Sequence, residues 1–223
     1  MKYKAIIFDM DGTIIDTEHV WQGACRRLIS QLNLDLHDDV RTDLENRSIG
    51  MAVHECCLII KELTQSKDSV QELTDRMIEH AKDLYLDGAK FIAGFTEFYA
   101  QARNHDLKMG IATNADNHTL SLARSTMDLA SFFGDHIYNP IMAGCKYKPE
   151  PDLYLYVAKQ LDIDPSLCIA IEDSKHGINA ARAAGMLCIG IGTSQDPEQI
   201  KHAHIPVPGY EHINLKKLLG LVD

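Results

Sequence analysis

Lys4-Ala5-Ile6-Ile7-Phe8-Asp9-Met10-Asp11-Gly12-Thr13-Ile14-Ile15-Asp16 begins as an isoleucine-rich apolar run and stops at two carboxylates, a glycine and a threonine. The run reads as a buried parallel strand. Unpaired carboxylates are too costly to bury by accident, so two of them at the mouth of a core strand point to a cation, a reaction, or both. A side-chain period of two lets Asp9 and Asp11 share one side while Met10 points elsewhere. Gly12 lets the chain turn sharply out of the sheet.

Downstream of Asp16 the pattern becomes helical. Val20, Ala24, Leu28 and Leu32 mark one stripe from about Glu18 to Gln31, Met51 to Leu63 carries a second, and Val70 to Tyr85 a third with Leu73, Met77, Ala81 and Leu84. Leu44 to Gly50 contains a break. Roughly 70 residues of helix between one strand and the next is too long for an ordinary crossover. The expected organisation is therefore an inserted helical domain, residues 17–88, within a core made of 1–16 and 89–223.

From Gly94 the chain alternates. Thr96 can cap a helix to about Arg103, and Leu107 to Thr113 is a strand ending in Thr113-Asn114. A helix from Asn117 to about Met127, a weak strand at His136–Tyr138 and a helix opened by Lys148-Pro149-Glu150-Pro151-Asp152 follow, the last ending near Leu161. Leu167 to Ile171 is a buried strand running into Glu172-Asp173-Ser174, where Asp173 or Ser174 can cap the alanine-rich helix to Ala184. Leu187 to Ile191 is another strand, and the tail carries short helices near Glu198–His202 and Leu215–Leu219. Alternation of this kind predicts an α/β fold with a doubly wound, Rossmann-like parallel sheet. In such sheets functional groups gather at the carboxyl ends of the strands, where strand order reverses. Asp9, Asp11, Thr113, Glu172 and Asp173 all fall at those ends.

Composition narrows the function. With 223 residues, 45% hydrophobic and 24% charged, the chain can build one good core plus a smaller lobe. A formal net charge of -10 argues against nucleic acid and anionic membrane surfaces as partners. No apolar segment approaches a membrane span, and the run after Met1-Lys2-Tyr3-Lys4 is too short for a secretory signal, so a cytoplasmic protein is expected. Six scattered cysteines lack a C-x-x-C pair and read as reduced, mostly buried thiols, and eleven histidines form no H-E-x-x-H.

The mouth of the sheet thus brings together four carboxylates, a hydroxyl and the amine of Lys148. All-oxygen donors favour a hard cation, and Mg2+ binds through one or two carboxylates with waters and phosphate oxygens. Phosphate suits that cation, with Lys148 sharing its charge and Thr113 donating a hydrogen bond. A carboxylate can attack phosphorus through an aspartyl-phosphate, and a second carboxyl can protonate the leaving oxygen and later deprotonate water. Singly, each feature has a plainer reading: D-x-D-G-T as a calcium-type loop or turn, Thr113-Asn114 as a turn, Lys148-Pro149 as a solvated helix start, Glu172-Asp173 as a helix cap. It is their joint order at strand ends that points to chemistry.

Asp9-Met10-Asp11-Gly12-Thr13 with Asp16, Thr113-Asn114, Lys148-Pro149-Glu150-Pro151-Asp152, and Glu172-Asp173-Ser174 with Gly177 resemble, in order, the four motifs of the haloacid dehalogenase-like hydrolases. The helical insertion resembles the type 1 cap of the beta-phosphoglucomutase and phosphatase-like branch. The resemblance implies Asp9 as nucleophile, Asp11 as general acid/base, Thr113 as phosphoryl hydrogen-bond donor and Lys148 as charge-neutralising cation. It implies magnesium held by the Asp9 carboxylate, the Asp11 backbone carbonyl and Asp173, with Glu172 a direct or water-mediated partner. Gly12 and Thr13 would shape the turn, and backbone amides there and at Asn114 would meet the phosphate. Asp16 reads as a support for the turn into the cap. Where the family usually has Gly before the third-motif lysine, this chain has Tyr147.

An acid at position 11 argues against dehalogenases and phosphonoacetaldehyde hydrolases, which lack one there. The mutase cap loop usually carries a Lys before a Gly and an Arg three residues beyond it, whereas Ile49 and Val53 flank Gly50 here. The resulting expectation is a magnesium-dependent phosphatase of a small phosphorylated metabolite. A beta-phosphoglucomutase-like sugar-phosphate mutase is the alternative, and a phospho-accepting signalling or binding module without turnover is the competitor from another class. Within the cap, Arg47 of Arg47-Ser48-Ile49-Gly50 and His19 are candidate substrate contacts. Gly50 reads equally as a helix breaker, His19 as hinge packing, and Trp21 as cap core.

Overall fold

The computed structural model describes residues 2–32, 37, 39, 40, 42, 44, 53–193 and 196–222. Six parallel strands form the main sheet in the order β5-β4-β1-β6-β7-β8. They are β1 (Ala5–Phe8), β4 (Lys108–Ala112), β5 (Ile137–Tyr138), β6 (Cys168–Glu172), β7 (Leu187–Ile191) and β8 (Ile205–Val207). All four side chains of β1 are buried, because helices cover both faces. Ile6 and Phe8 point into one layer, where Phe8 meets Phe95, Phe98 and Phe133 edge-on at 5.6–6.3 Å between ring centroids. Ala5 and Ile7 point into the other, with Leu153, Val157, Ile178 and Ala181. Each large apolar side chain so buried contributes about 1.5–3 kcal/mol.

A two-stranded antiparallel pair, β2 (Ile15–Asp16) with β3 (Lys90–Phe91), marks where the chain leaves the core and returns. Between them lie the helices Glu18–Gln31, Val53–Thr64 and Val70–Gly88. Val20, Ala24, Leu28, Leu73, Met77 and Ala81 are buried as the stripes require. Helix Val70–Gly88 starts at a capping box in which the Ser69 hydroxyl accepts from the Glu72 amide and Glu72 accepts from the Ser69 amide. Arg47, Ser48, Ile49 and Gly50, including the Arg47 candidate, lie outside the described residues.

Several elements differ from expectation. Helix Phe95–Asn104 is capped not by Thr96, whose hydroxyl donates to Glu97, but by Gly94, at φ +80°. The helix after Lys148 begins only at Asp152, and Lys148 lies in the loop before it, where the Lys148–Pro149 peptide is cis. Instead of a helix near Glu198–His202 there is a single 3-10 turn, Pro197–Gln199. Strand β8 has no alternating pattern to read: it is three residues long, contains Pro206, and sits at the sheet edge where proline is tolerated. Short helices at Leu129–Phe133 and Pro140–Ala143 also went unread. No disulfide joins the cysteines, and all but Cys145 are buried. Among the described residues no helix is long and apolar enough to cross a membrane.

Candidate active site

Adjacent strands β4, β1 and β6 end at Ala112, Phe8 and Glu172, so Thr113, Asp9 and Asp173 emerge side by side at one edge of the sheet. β1 has β4 on one side and β6 on the other, which makes this edge the point where strand order reverses.

Lys148 is 2% exposed, and its Nζ donates to Asp9 Oδ1 at 2.6 Å and Glu172 Oε1 at 2.5 Å. An ammonium so buried stays charged only with carboxylates on it. Burial opposes its charge, but Asp9 and Glu172 together hold it above the ordinary lysine range. Asn114 fixes the loop that delivers the lysine: its Oδ1 accepts from the Lys148 amide at 3.0 Å and its Nδ2 donates to the Lys148 carbonyl at 3.2 Å. The Asn114 side chain is therefore committed to that loop, leaving only its backbone amide for a phosphate.

Glu172 is fully buried and surrounded by donors. The Tyr154 hydroxyl donates to Oε1 at 2.8 Å and the Ser174 hydroxyl to Oε2 at 3.1 Å. Ser174 also accepts from the Gly177 amide, capping helix Lys175–Ala183 as expected. Asp173 accepts from the Thr13 hydroxyl at 3.0 Å. A Cβ on Gly12, at φ +78°, would lie 2.2 Å from Asp173 Oδ2, so both backbone angle and space require glycine there. Thr113 is buried, and its Oγ1 accepts from the Ala115 amide at 3.0 Å, which leaves the hydroxyl hydrogen to donate elsewhere.

Carboxylate oxygens of Asp9, Glu172 and Asp173 lie within 4.8 Å of one another. Burial, and then the neighbouring acids, push Asp9 well above the usual carboxylate range despite Lys148, and push Asp173 up to about 8. Three carboxylates against one ammonium leave two negative charges when all are ionised. An all-oxygen donor set with that residual charge fits a hard divalent cation.

Asp11 does not join this group through its side chain. The strand ends at Phe8, the alternation stops there, and the carboxylate turns toward the helical insertion. Its Oδ1 accepts from Thr17 Oγ1 at 2.8 Å and from Trp21 Nε1 at 3.4 Å. Burial raises its pKa, against the lowering by Thr17 and Trp21. Trp21 is thus both packed against the core and a donor to Asp11. His19 lies at the crossing into the insertion, 3.7 Å from Asp16 and against Gly88.

Two supports were not singled out from the sequence. Thr193 donates to the Gly12 carbonyl at 2.6 Å and Tyr210 to the Thr13 carbonyl at 3.0 Å, so the turn after β1 is tied to the end of the chain. Tyr154 was also missed. The available signal was weak: a buried tyrosine usually finds a hydrogen-bond partner.

Residues 6–191 match the family described as haloacid dehalogenase-like hydrolase. A phosphorylated carbohydrates phosphatase of Thermotoga maritima is 29% identical over 188 residues, 82% of each chain. Beta-phosphoglucomutase of Bacillus subtilis is 31% identical over 196 residues, 86% of this chain and 84% of that one. Among solved structures, beta-phosphoglucomutase from Clostridium difficile superposes with a TM-score of 0.81 at 22% identity, covering 98% of this chain and 96% of that one.

Proposed function

The chain belongs to the haloacid dehalogenase-like hydrolases, and from that membership we propose that it is a magnesium-dependent phosphatase acting on a small phosphorylated metabolite. One observation carries the reading: a fully buried lysine, Lys148, binds Asp9 and Glu172 at the mouth of the sheet beside Asp173. Three buried carboxylates around one ammonium are costly to the fold alone, and a cation with phosphate accounts for them. We take the insertion, 17–88, as a cap over a core of 1–16 and 89–223.

Asp9 attacks phosphorus with a carboxylate oxygen as the bond to the leaving oxygen breaks, giving an aspartyl-phosphate. Asp11, whose raised pKa favours the protonated form, gives its proton to the departing alkoxide. The Asp11 carboxylate then takes a proton from water as that water attacks the same phosphorus, releasing inorganic phosphate and restoring Asp9. Lys148 neutralises charge throughout, and Thr113 donates to a phosphoryl oxygen. Asp9, Asp173 and the Asp11 backbone carbonyl would hold magnesium, with Glu172 direct or through water, and the ion supplies charge neutralisation of the phosphoryl oxygens. Because Glu172 already accepts from Lys148, Tyr154 and Ser174, the water-mediated role suits it better.

The likeness to a phosphorylated carbohydrates phosphatase supports a sugar-phosphate substrate. The likeness to the Bacillus subtilis mutase supports the alternative, a sugar-phosphate mutase, and quantifying isomerised sugar phosphate against free phosphate separates the two. Asp9→Asn is expected to lower phosphate release by at least about 1,000-fold while circular dichroism stays unchanged, and chelation of magnesium to abolish turnover reversibly. Normal turnover in Asp9→Asn ends the reading.

A further inference from the structure

Tyr85 lies in the last turns of helix Val70–Gly88 and is 1% exposed, yet its hydroxyl has no hydrogen-bond partner among the described residues. Other buried tyrosines differ. Tyr99 donates to the Phe132 carbonyl, Tyr154 to Glu172 and Tyr210 to the Thr13 carbonyl. An unpaired phenol in the interior is unfavourable, and phenylalanine would fill the same space without that cost. The fold itself makes no use of the Tyr85 oxygen.

Helix packing sets where that oxygen lies. Helix Val70–Gly88 runs antiparallel against helix Glu18–Gln31: a Cβ on Gly23 would lie 2.8 Å from Leu84 Cδ1, and one on Gly88 would lie 2.7 Å from His19 Nε2. Between those two contacts Tyr85 stands level with Trp21, whose indole N–H reaches Asp11 Oδ1 at 3.4 Å. Leu86, the next residue, is exposed, so Tyr85 faces the interior. The same helix also packs against helix Asn117–Thr126, which starts just past Thr113. Tyr85 therefore sits where the insertion meets the core, at the level of the acid. Burial, and then the negative charge of Asp11, push its phenol up and keep it a hydroxyl. Thr17 and Trp21 both bind Asp11 Oδ1, leaving Oδ2 for proton transfer.

Resting on the phosphatase reading, we propose that Tyr85 is a further catalytic residue whose hydroxyl binds the oxygen that exchanges a proton with Asp11. That oxygen belongs first to the leaving group and then to water. In the first half of the reaction the hydroxyl donates to the leaving oxygen as its bond to phosphorus breaks and the Asp11 proton passes to it. In the second half, water gives one proton to the Asp11 carboxylate, directs its other O–H at Tyr85 Oη and attacks the phosphorus of the aspartyl-phosphate. One hydroxyl serves both halves because it can donate and accept.

Tyr85→Phe tests this by keeping the ring and removing only the oxygen. With magnesium-loaded protein, kcat/KM for phosphate release should fall about 10- to 100-fold on the fastest of glucose 6-phosphate, sorbitol 6-phosphate and glycerol 3-phosphate, all of which release an alkoxide that needs a proton. On acetyl phosphate, whose acetate leaves without one, kcat/KM should stay within about twofold of wild type. The aspartyl-phosphate formed from acetyl phosphate should decay about tenfold more slowly in a rapid-quench chase. Tm should hold or rise, because the variant loses a polar atom that had no partner. An equal loss of kcat/KM on acetyl phosphate and the alkyl phosphate, wild-type values on both, or a Tm lowered by more than about 5 °C overturns the inference while leaving the phosphatase reading intact. No phosphate release by the wild type from any of the four probes overturns both.

Discussion

Gly177 is the clearest case of one missing atom holding a site together. A Cβ there would lie 1.7 Å from Glu172 Oε1 and 1.9 Å from the carboxyl carbon. Glu172 is fully buried and cannot step aside without leaving Lys148 or Tyr154, and either loss strands a charge or a hydroxyl in the interior. Gly177→Ala should therefore lower stability by about 2–3 kcal/mol, a fall in Tm of about 5–10 °C, and reduce kcat/KM at least about 100-fold. Thermal denaturation and phosphate release measure the two effects. A variant with wild-type turnover would show that the position of Glu172 does not matter to the reaction.

At the scale of elements, the turn after β1 owes its shape to parts of the chain far away in sequence. Tyr210 donates to the Thr13 carbonyl, and its ring packs 5.3 Å from Phe98 and 5.9 Å from Phe95. Tyr210→Phe preserves that packing and removes only the donor. It should cost about 1–2 kcal/mol in chemical denaturation, since a buried carbonyl loses its partner, and lower kcat severalfold, because Thr13 also holds Asp173. Unchanged kcat would mean that the turn keeps its shape without the bond. The strands that position Asp9, Thr113 and Asp173 were legible, because buried parallel strands are continuous apolar runs that end abruptly at polar residues. The helices Glu18–Gln31 and Val70–Gly88 were legible through their stripes. What escaped has no period to read. The pair β2–β3 is two residues on each side and β8 three. Tyr154, Thr193 and Tyr210 are single donors whose partners lie 18, 181 and 197 residues away. The turn of Asp11 toward Thr17 and Trp21 depends on where β1 stops, which alternation alone does not fix.

For the whole molecule, the buried acids make stability a function of pH and, on the proposed reading, of magnesium as well. Asp173 titrates at about 8 in the folded protein, against an ordinary carboxylate value of 3.8, because burial and then Glu172 oppose its charge. Between those values the folded chain binds more protons than the unfolded chain, so stability falls as pH rises from about 4 toward about 8 and this contribution is spent above that window. A formal net charge of -10 adds self-repulsion in the same direction. On the proposed reading, magnesium would bind the deprotonated carboxylates of the folded state and stabilise it by mass action, more so where no proton must first be displaced. Differential scanning fluorimetry should therefore show the Tm of metal-free protein falling between about pH 6 and about pH 8, and the magnesium-induced rise in Tm growing over the same interval. Asp173→Asn carries no titrating group at that position, so its metal-free Tm should depend less on pH and its magnesium response should be small throughout. A metal-free Tm that rises with pH across this window, or a magnesium shift equally large in Asp173→Asn, would separate the buried acids from the cation they are inferred to hold.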